Sequence, residues 1–320
     1  MKIVILDGYT VNPGDNSWDA IGQFGNVTIH DRTAADETLA RSADADILLT
    51  NKVILDKAIL SQLPNLKYIG VTATGYNVVD VEFARQRNIP VSNVPEYSTQ
   101  AVAQFVFASL LSFVHKPAEH HAAIQAGQWQ ASNNFSFWLS PSRELLGKTF
   151  GIVGLGKIGR ATAKLADAFG MKIVTHSRRQ NDPLDYPGFQ WLSVEEVFAQ
   201  SDFVSLHCPQ NPETEGFVNA ELIGRMKPTG VLINTARGGL VNEQDLADAL
   251  NSEKIAAALL DVVSAEPIVD DNPLLTAKNC VLTPHLAWTP IEARKRLVQT
   301  VVDNIASFIA GSPCNVVNQS

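Results

Sequence analysis

Short apolar runs recur along the chain, separated by segments with helical spacing. In the first part they sit at 2–6, 27–29, 45–49, 66–71 and 89–91, with helix-like segments such as Asp56–Gln62 and Val79–Gln86 between them. Strands buried on both faces read as continuous apolar runs, and strands alternating with helices predict βαβ units around a parallel sheet. The stretch 93–98 breaks this alternation. A long apolar helix is predicted from Thr99 to about His115. A second series starts at Thr149–Val153 and continues with strands predicted at Lys172–Thr175, Phe203–Leu206, Gly230–Asn234, Ala256–Val262 and Cys280–Thr283. A helix from Pro290 to Ala310 comes last, before Gly311-Ser312-Pro313. The expected class is α/β, with two doubly wound parallel sheets. The pattern does not assign the last helix to either.

Length agrees with two series: 320 residues, at roughly 100–200 per domain, predict two domains. Hydrophobic residues make up 45%, which provides for a large core and excludes disorder as a main feature. A formal net charge of -8 disfavours nucleic-acid binding, which needs a basic face. Cys208, Cys280 and Cys314 lack C-x-x-C spacing. They predict neither a disulfide framework nor a metal site, but buried thiols in a reducing, cytoplasmic setting. Met1–Asp7 reads as a buried first strand rather than a leader. The most apolar stretch, Ala101–Val114, is shorter than the ~20 residues of a membrane span.

Candidate chemistry begins at Gly154-Leu155-Gly156-Lys157-Ile158-Gly159. The motif G-x-G-x-x-G is weak alone, but here a strand precedes it and a helix follows. Gly154 suits a tight turn, Gly156 a backbone approach to pyrophosphate, and Gly159 close packing of helix on strand. The helix N-terminus favours an anion. A dinucleotide is the expected ligand. Such sites commonly carry an acid about 20 residues further on, to bond ribose hydroxyls. Here the chain reads His176-Ser177-Arg178-Arg179. Serine and arginine attract a 2′-phosphate that an acid would repel, so NADP(H) is expected ahead of NAD(H).

Three polar groups follow strands of the second series: Arg237, Glu266 and His285. Ligands of open α/β sheets bind beyond the carboxyl ends of strands. An arginine binds a carboxylate, a histidine carries protons, and a glutamate orients the histidine. His207 ends a strand and is expected near the cofactor through its backbone. His120 and His121 sit on a polar helix without ligand partners. The run Phe135-Ser136-Phe137-Trp138 reads as a packed loop.

These motifs are specific in order and spacing. Ala73–Asp80, the glycine turn, His207-Cys208-Pro209, Met226-Lys227-Pro228, Asn234–Gly238, Leu260-Asp261-Val262, Glu266-Pro267 and Pro284–Trp288 resemble the D-isomer-specific 2-hydroxyacid dehydrogenases along essentially the whole chain. Within them, glycerate dehydrogenases, or hydroxypyruvate reductases, are most similar. The resemblance implies Arg237, Glu266 and His285 as catalytic residues, and Thr74, Gly75, Arg237 and Trp288 for the substrate. Beside the glycine turn and Ser177–Arg179, it implies Lys157, Ile158, Cys208, Pro209, Thr235, Ala236, Asp261, His285 and Ala287 for the cofactor. It implies a flavodoxin-like substrate domain, 1–98 with 289–320, and a Rossmann domain, 99–288, with a cleft between them. Homodimers acting on small 2-oxo or 2-hydroxy acids are implied as well, with Trp138 as a segment that can reach the partner subunit. The sequence also leaves open a bulkier 2-oxo acid, or a dinucleotide-sensing protein of the same fold.

Overall fold

The computed structural model describes residues 1–180 and 182–319. The chain divides into two compact units, Met1–Ser98 with Trp288–Ser320, and Thr99–Ala287.

In the first unit five parallel strands are β1 (Lys2–Ile5), β2 (Asn26–Ile29), β3 (Ile47–Thr50), β4 (Tyr68–Val71) and β5 (Val91–Ser92), in the order β2-β1-β3-β4-β5. β3 and β4 are buried throughout, whereas the edge strand β2 is largely exposed. At the end of β1 the buried Asp7 carboxylate accepts the backbone N–H groups of Asn51, Lys52 and Val53, at 2.8, 2.5 and 3.2 Å. Asn51 in turn donates to the Thr72 carbonyl at 2.6 Å. These bonds tie the ends of β1, β3 and β4 together. The helix Ile291–Ile309 completes this unit, and its buried Arg294 forms a bidentate pair with Asp15 at 2.5 and 2.7 Å. Trp288 also belongs here, which corrects the expected boundary after 288. Its ring packs edge-on against Tyr97, with 6.3 Å between centroids.

The second unit holds seven parallel strands: β6 (Thr149–Val153), β7 (Lys172–His176), β8 (Gln190–Trp191), β9 (Phe203–Leu206), β10 (Val231–Asn234), β11 (Ala257–Leu260) and β12 (Cys280–Leu282). Their order is β12-β11-β10-β9-β6-β7-β8, so the winding reverses between β6 and β9. Successive residues supply opposite faces. Val231 and Ile233 join Phe107, Phe150 and Phe203 in one core, while Leu232 joins Val204, Leu206 and Leu246 in the other. Such strands are continuous apolar runs because both faces are covered. The β8 strand escapes sequence reading, since a two-residue edge strand carries no periodicity.

Among the described residues no single helix is long and apolar enough to cross a membrane. The loop Phe135–Trp138 is not packed as expected: Phe135 is 94% and Trp138 71% exposed.

Candidate active site

The glycine turn lies where the sheet reverses. Gly154 has φ +101°, and a Cβ there would stand 2.6 Å from the Cys208 nitrogen and 2.7 Å from the His207 carbonyl carbon. Only glycine lets the loops after β6 and β9 meet this closely. A Cβ on Gly159 would fall 2.3 Å from the Gly154 oxygen, so helix and turn also touch through bare backbone. At Gly156 nothing lies within 4 Å, which leaves open space at the start of the helix Lys157–Ala168. Its N-cap is Gly156, which has no side chain to cap the first turn, a helix end suited to an anion. Across the same end of the sheet, the buried Thr235 hydroxyl has no hydrogen-bond partner among the described residues. Closely approaching backbone, uncapped donors and an orphaned hydroxyl fit a dinucleotide. Lys157 is exposed and Ile158 half-buried; beyond β7, Ser177 is half-buried and Arg178 and Arg179 are exposed.

Two titratable groups under this turn are held neutral. Burial pushes the Cys208 thiol up to about 11. Burial lowers His207 to about 4, and its ring nitrogen Nε2 pairs with the Ser205 hydroxyl at 2.9 Å. Cys280, packed against the same core as Cys208, is pushed up to about 12 by burial and by the charge of Glu243. His120 is engaged within its own region: Nδ1 meets the Lys116 carbonyl at 2.7 Å, and Nε2 accepts Leu139 N–H at 3.1 Å.

The three polar candidates follow neighbouring strands in register, with Asn234 beside Leu260 and Leu260 beside Leu282. Asn234 is buried and folds the first loop. Its side chain accepts from Ala236 N–H at 3.0 Å and donates to the Arg237 carbonyl at 2.8 Å. The Arg237 side chain is exposed and reaches the Ala236 carbonyl at 2.7 Å. The next residue, Gly238, sits where a Cβ would be 1.9 Å from the Val263 carbonyl carbon. Hence the arginine loop rests directly on the loop that carries Glu266.

Asp261 organises the histidine loop. The carboxylate is 2% exposed. It accepts Thr283 Oγ1 at 2.6 Å, Leu286 N–H at 2.7 Å and Ala287 N–H at 2.8 Å, while its carbonyl accepts His285 N–H at 2.8 Å. This wrapping holds His285 at φ +55°, a left-handed conformation unusual for a side chain of its size. The ring is thereby turned so that Nδ1 lies 2.7 Å from Glu266 Oε2. Glu266 Oε1 accepts Val263 N–H at 3.4 Å. A carboxylate only accepts, so the hydrogen between them sits on Nδ1, and Nε2 is left for other chemistry.

Arg237, Glu266 and His285 therefore lie on one sheet edge, and the last two are in contact. Thr74, Gly75 and Trp288 belong to the other unit. There, Asn93 Nδ2 donates to the Thr74 carbonyl at 2.7 Å and Thr74 Oγ1 to the Val94 carbonyl at 2.9 Å, fixing the Thr74–Gly75 loop. Sequence reading took Asp261 only for a cofactor contact and overlooked its service to the loop.

Comparisons with known proteins identify the family. The family model for D-isomer specific 2-hydroxyacid dehydrogenase, NAD binding domain, matches residues 107–287. A hydroxypyruvate reductase of Blautia hydrogenotrophica is 48% identical over 322 aligned residues, covering 100% of both chains. A glycerate dehydrogenase of Methylorubrum extorquens is 37% identical over 284 residues, 88% of each chain. An acyclic imino acid reductase solved in complex with NADPH and D-Arg has a TM-score of 0.87 at 32% identity, covering 99% of this chain and 100% of that one.

The buried histidine yields a prediction. Between pH 6.5 and about 4 the unfolded chain protonates His207 while the folded unit does not. Its contribution to stability is fully present above 6.5 and is lost as pH falls through that window. His207→Gln should flatten the pH dependence of the urea midpoint there. An unchanged slope would show that His207 is not the group responsible.

Proposed function

The chain belongs to the D-isomer specific 2-hydroxyacid dehydrogenases, and on that premise we propose that it interconverts small 2-oxo acids and D-2-hydroxy acids. Hydroxypyruvate with D-glycerate, and glyoxylate with glycolate, are the preferred pairs. The observation that carries the reading is the 2.7 Å Glu266–His285 bond, on the same sheet edge as Arg237 and an uncapped dinucleotide turn. Similarity to a hydroxypyruvate reductase and a glycerate dehydrogenase supports the choice of substrates.

The dinucleotide is held by backbone at Gly154–Gly159, with Cys208, Pro209, Thr235, Ala236, Asp261, His285 and Ala287 around the remainder. When bound, it supplies or accepts the hydride. The protein's own groups manage charge and protons. Arg237, exposed and planar, pairs with the substrate carboxylate and polarises the adjacent carbonyl. Glu266 fixes the hydrogen on His285 Nδ1, which directs Nε2 to the substrate oxygen. In reduction Nε2 gives its proton to the developing alkoxide; in oxidation neutral Nε2 takes it back. Glu266 steadies the imidazolium through the interval. In the reductive assay His285→Ala should lower kcat by ~10²–10⁴, the usual worth of general acid–base catalysis, and leave dinucleotide affinity near wild type. Near-normal turnover would remove His285 from this role.

The preferred cofactor is NADP(H). Ser177 takes the place of a repelling acid, and Arg178 offers a planar, charge-assisted contact to a 2′-phosphate. Such bonds contribute about 1.5–3 kcal/mol, hence about 10- to 100-fold, with the lower end expected because Arg178 is exposed and screened by salt. Comparing kcat/KM for NADPH and NADH in wild type and in Ser177→Asp/Arg178→Ala decides the matter. The wild type should favour NADPH and the double variant should shift towards NADH. A wild-type preference for NADH defeats this assignment.

A homodimer completes the reading. The exposed Phe135, Trp138, Leu139 and Leu146 cluster in sequence within the second unit, and large exposed apolar groups mark association surfaces. Light scattering should give twice the chain mass, and Phe135→Ser/Trp138→Ser should raise the dissociation constant. A monomeric wild type would contradict the assignment.

A further inference from the structure

We propose that Glu243 is a positioning residue for the Glu266–His285 pair. This role rests on the reading of that pair as the proton-transfer couple. Glu243 opens the helix Glu243–Asn251, whose N-terminus is capped by the Asn242 side chain accepting Asp245 N–H at 3.1 Å. An acid in a first helical turn ordinarily serves its own helix dipole. Here the carboxylate turns to a different loop. Oε1 accepts Ser264 N–H at 2.7 Å, and Oε2 accepts Ser264 Oγ at 2.7 Å and Asn272 Nδ2 at 2.8 Å.

Ser264 and Asn272 bracket the segment that carries Glu266. Between them, every residue but Ile268 is exposed, so little apolar contact fixes this loop. Two restraints stand out among the described residues. On one side Val263 is seated against Gly238, with no room for a Cβ. On the other, Glu243 grips both ends of the loop. Asn272 is itself buried, and its Oδ1 accepts Leu274 N–H at 3.0 Å, which anchors the far end in the core beneath. The Glu266–His285 bond has little tolerance, because a 2.7 Å contact lengthened by about 1 Å is no longer a hydrogen bond.

The clamp requires a carboxylate. Donors reach both oxygens, from Ser264 N–H on one side and Asn272 Nδ2 on the other. Glutamine would set its own NH₂ against one of these donors in either orientation. Glu243→Gln should therefore release the loop, lengthen the Glu266–His285 contact and lower kcat by ~10- to 100-fold, the scale of a 1 Å misplacement remote from the chemistry. Dinucleotide affinity should stay near wild type.

The test pairs kinetics with a measurement that needs no turnover. In protein labelled with ¹⁵N-histidine, the Nδ1–H resonance of His285, assigned by its loss in His285→Ala, reports the bond to Glu266 directly. Glu243→Gln should broaden or remove it while the urea midpoint of the protein falls only slightly. Ser264→Ala should do the same to a lesser degree, and Glu243→Gln/Ser264→Ala should be no worse than Glu243→Gln alone. Should Glu243→Gln fail to fold, Ser264→Ala, a change at an exposed residue, decides by the same two readouts. An intact His285 resonance in the folded variants overturns the role, whether or not kcat falls. If His285 proves dispensable for turnover, the resonance still reports the positioning, so failure of the catalytic reading and failure of the clamp are told apart.

Discussion

A buried charge is tolerated only where the chain surrounds it with donors, and Asp261 shows what that demands. Its carboxylate, 2% exposed at the end of β11, is met by the Thr283 hydroxyl and by the Leu286 and Ala287 N–H groups. To deliver those donors, the chain after β12 has to curl back over the neighbouring strand. The curl places His285 at φ +55°, a conformation that costs roughly 1–2 kcal/mol for a residue with a Cβ. The donors offset that cost. The imidazole then meets Glu266 because of how the backbone is wrapped, before any substrate arrives. The Glu266–His285 geometry at this edge is thus a consequence of satisfying one carboxylate below it.

Close backbone approach supplies the second constraint. Gly154 lets the loops after β6 and β9 touch, and Gly238 lets the arginine loop rest on Val263. In both places a methyl group would force apart two loops whose residues must act together. Side chains then hold what the glycines admit. Asn234 folds the arginine turn, and Glu243 grips the glutamate loop from outside. Exposed site residues are set by buried polar ones, an arrangement that keeps reactive groups accessible without leaving them loose.

Much of this could be read from sequence where one residue type has one physical use. Parallel strands buried on both faces appear as apolar runs, so β6 and β9 emerge to the residue and β10 within one, while the expected Ala256–Val262 overshoots β11 at both ends. Gly154, Gly156 and Gly159 announce a phosphate turn by their spacing: at Gly154 and Gly159 a Cβ would strike backbone, while Gly156 leaves open space. Where a residue serves several ends, sequence is mute. Asp261 could bind a cofactor or hold a loop, and only its partners distinguish them. Glu243 has the appearance of any first-turn acid. The run Phe135–Trp138 reads as a packed loop because aromatics usually bury, yet Phe135 and Trp138 are exposed. Trp288 follows directly on a loop of the second unit, and only its packing on Tyr97 assigns it to the first. The β8 strand is too short for any pattern.

The neutrality of the groups beneath the glycine turn sharpens the division of labour. His207 is held down to about 4 and Cys208 up to about 11, both by burial, so neither changes charge across the neutral range. His207 and Cys208 therefore add no pH-dependent charge beneath the turn between pH 6 and pH 8. The nicotinamide changes its own charge between oxidised and reduced forms, and a titrating neighbour would bias that equilibrium with pH. On the proposed reading, a floor that stays uncharged leaves proton transfer to His285 with Glu266, and anionic recognition to the helix N-terminus and to Arg237. Burial under the turn and exposure at the loops are therefore complementary: the first silences groups that would interfere, and the second frees those that must act.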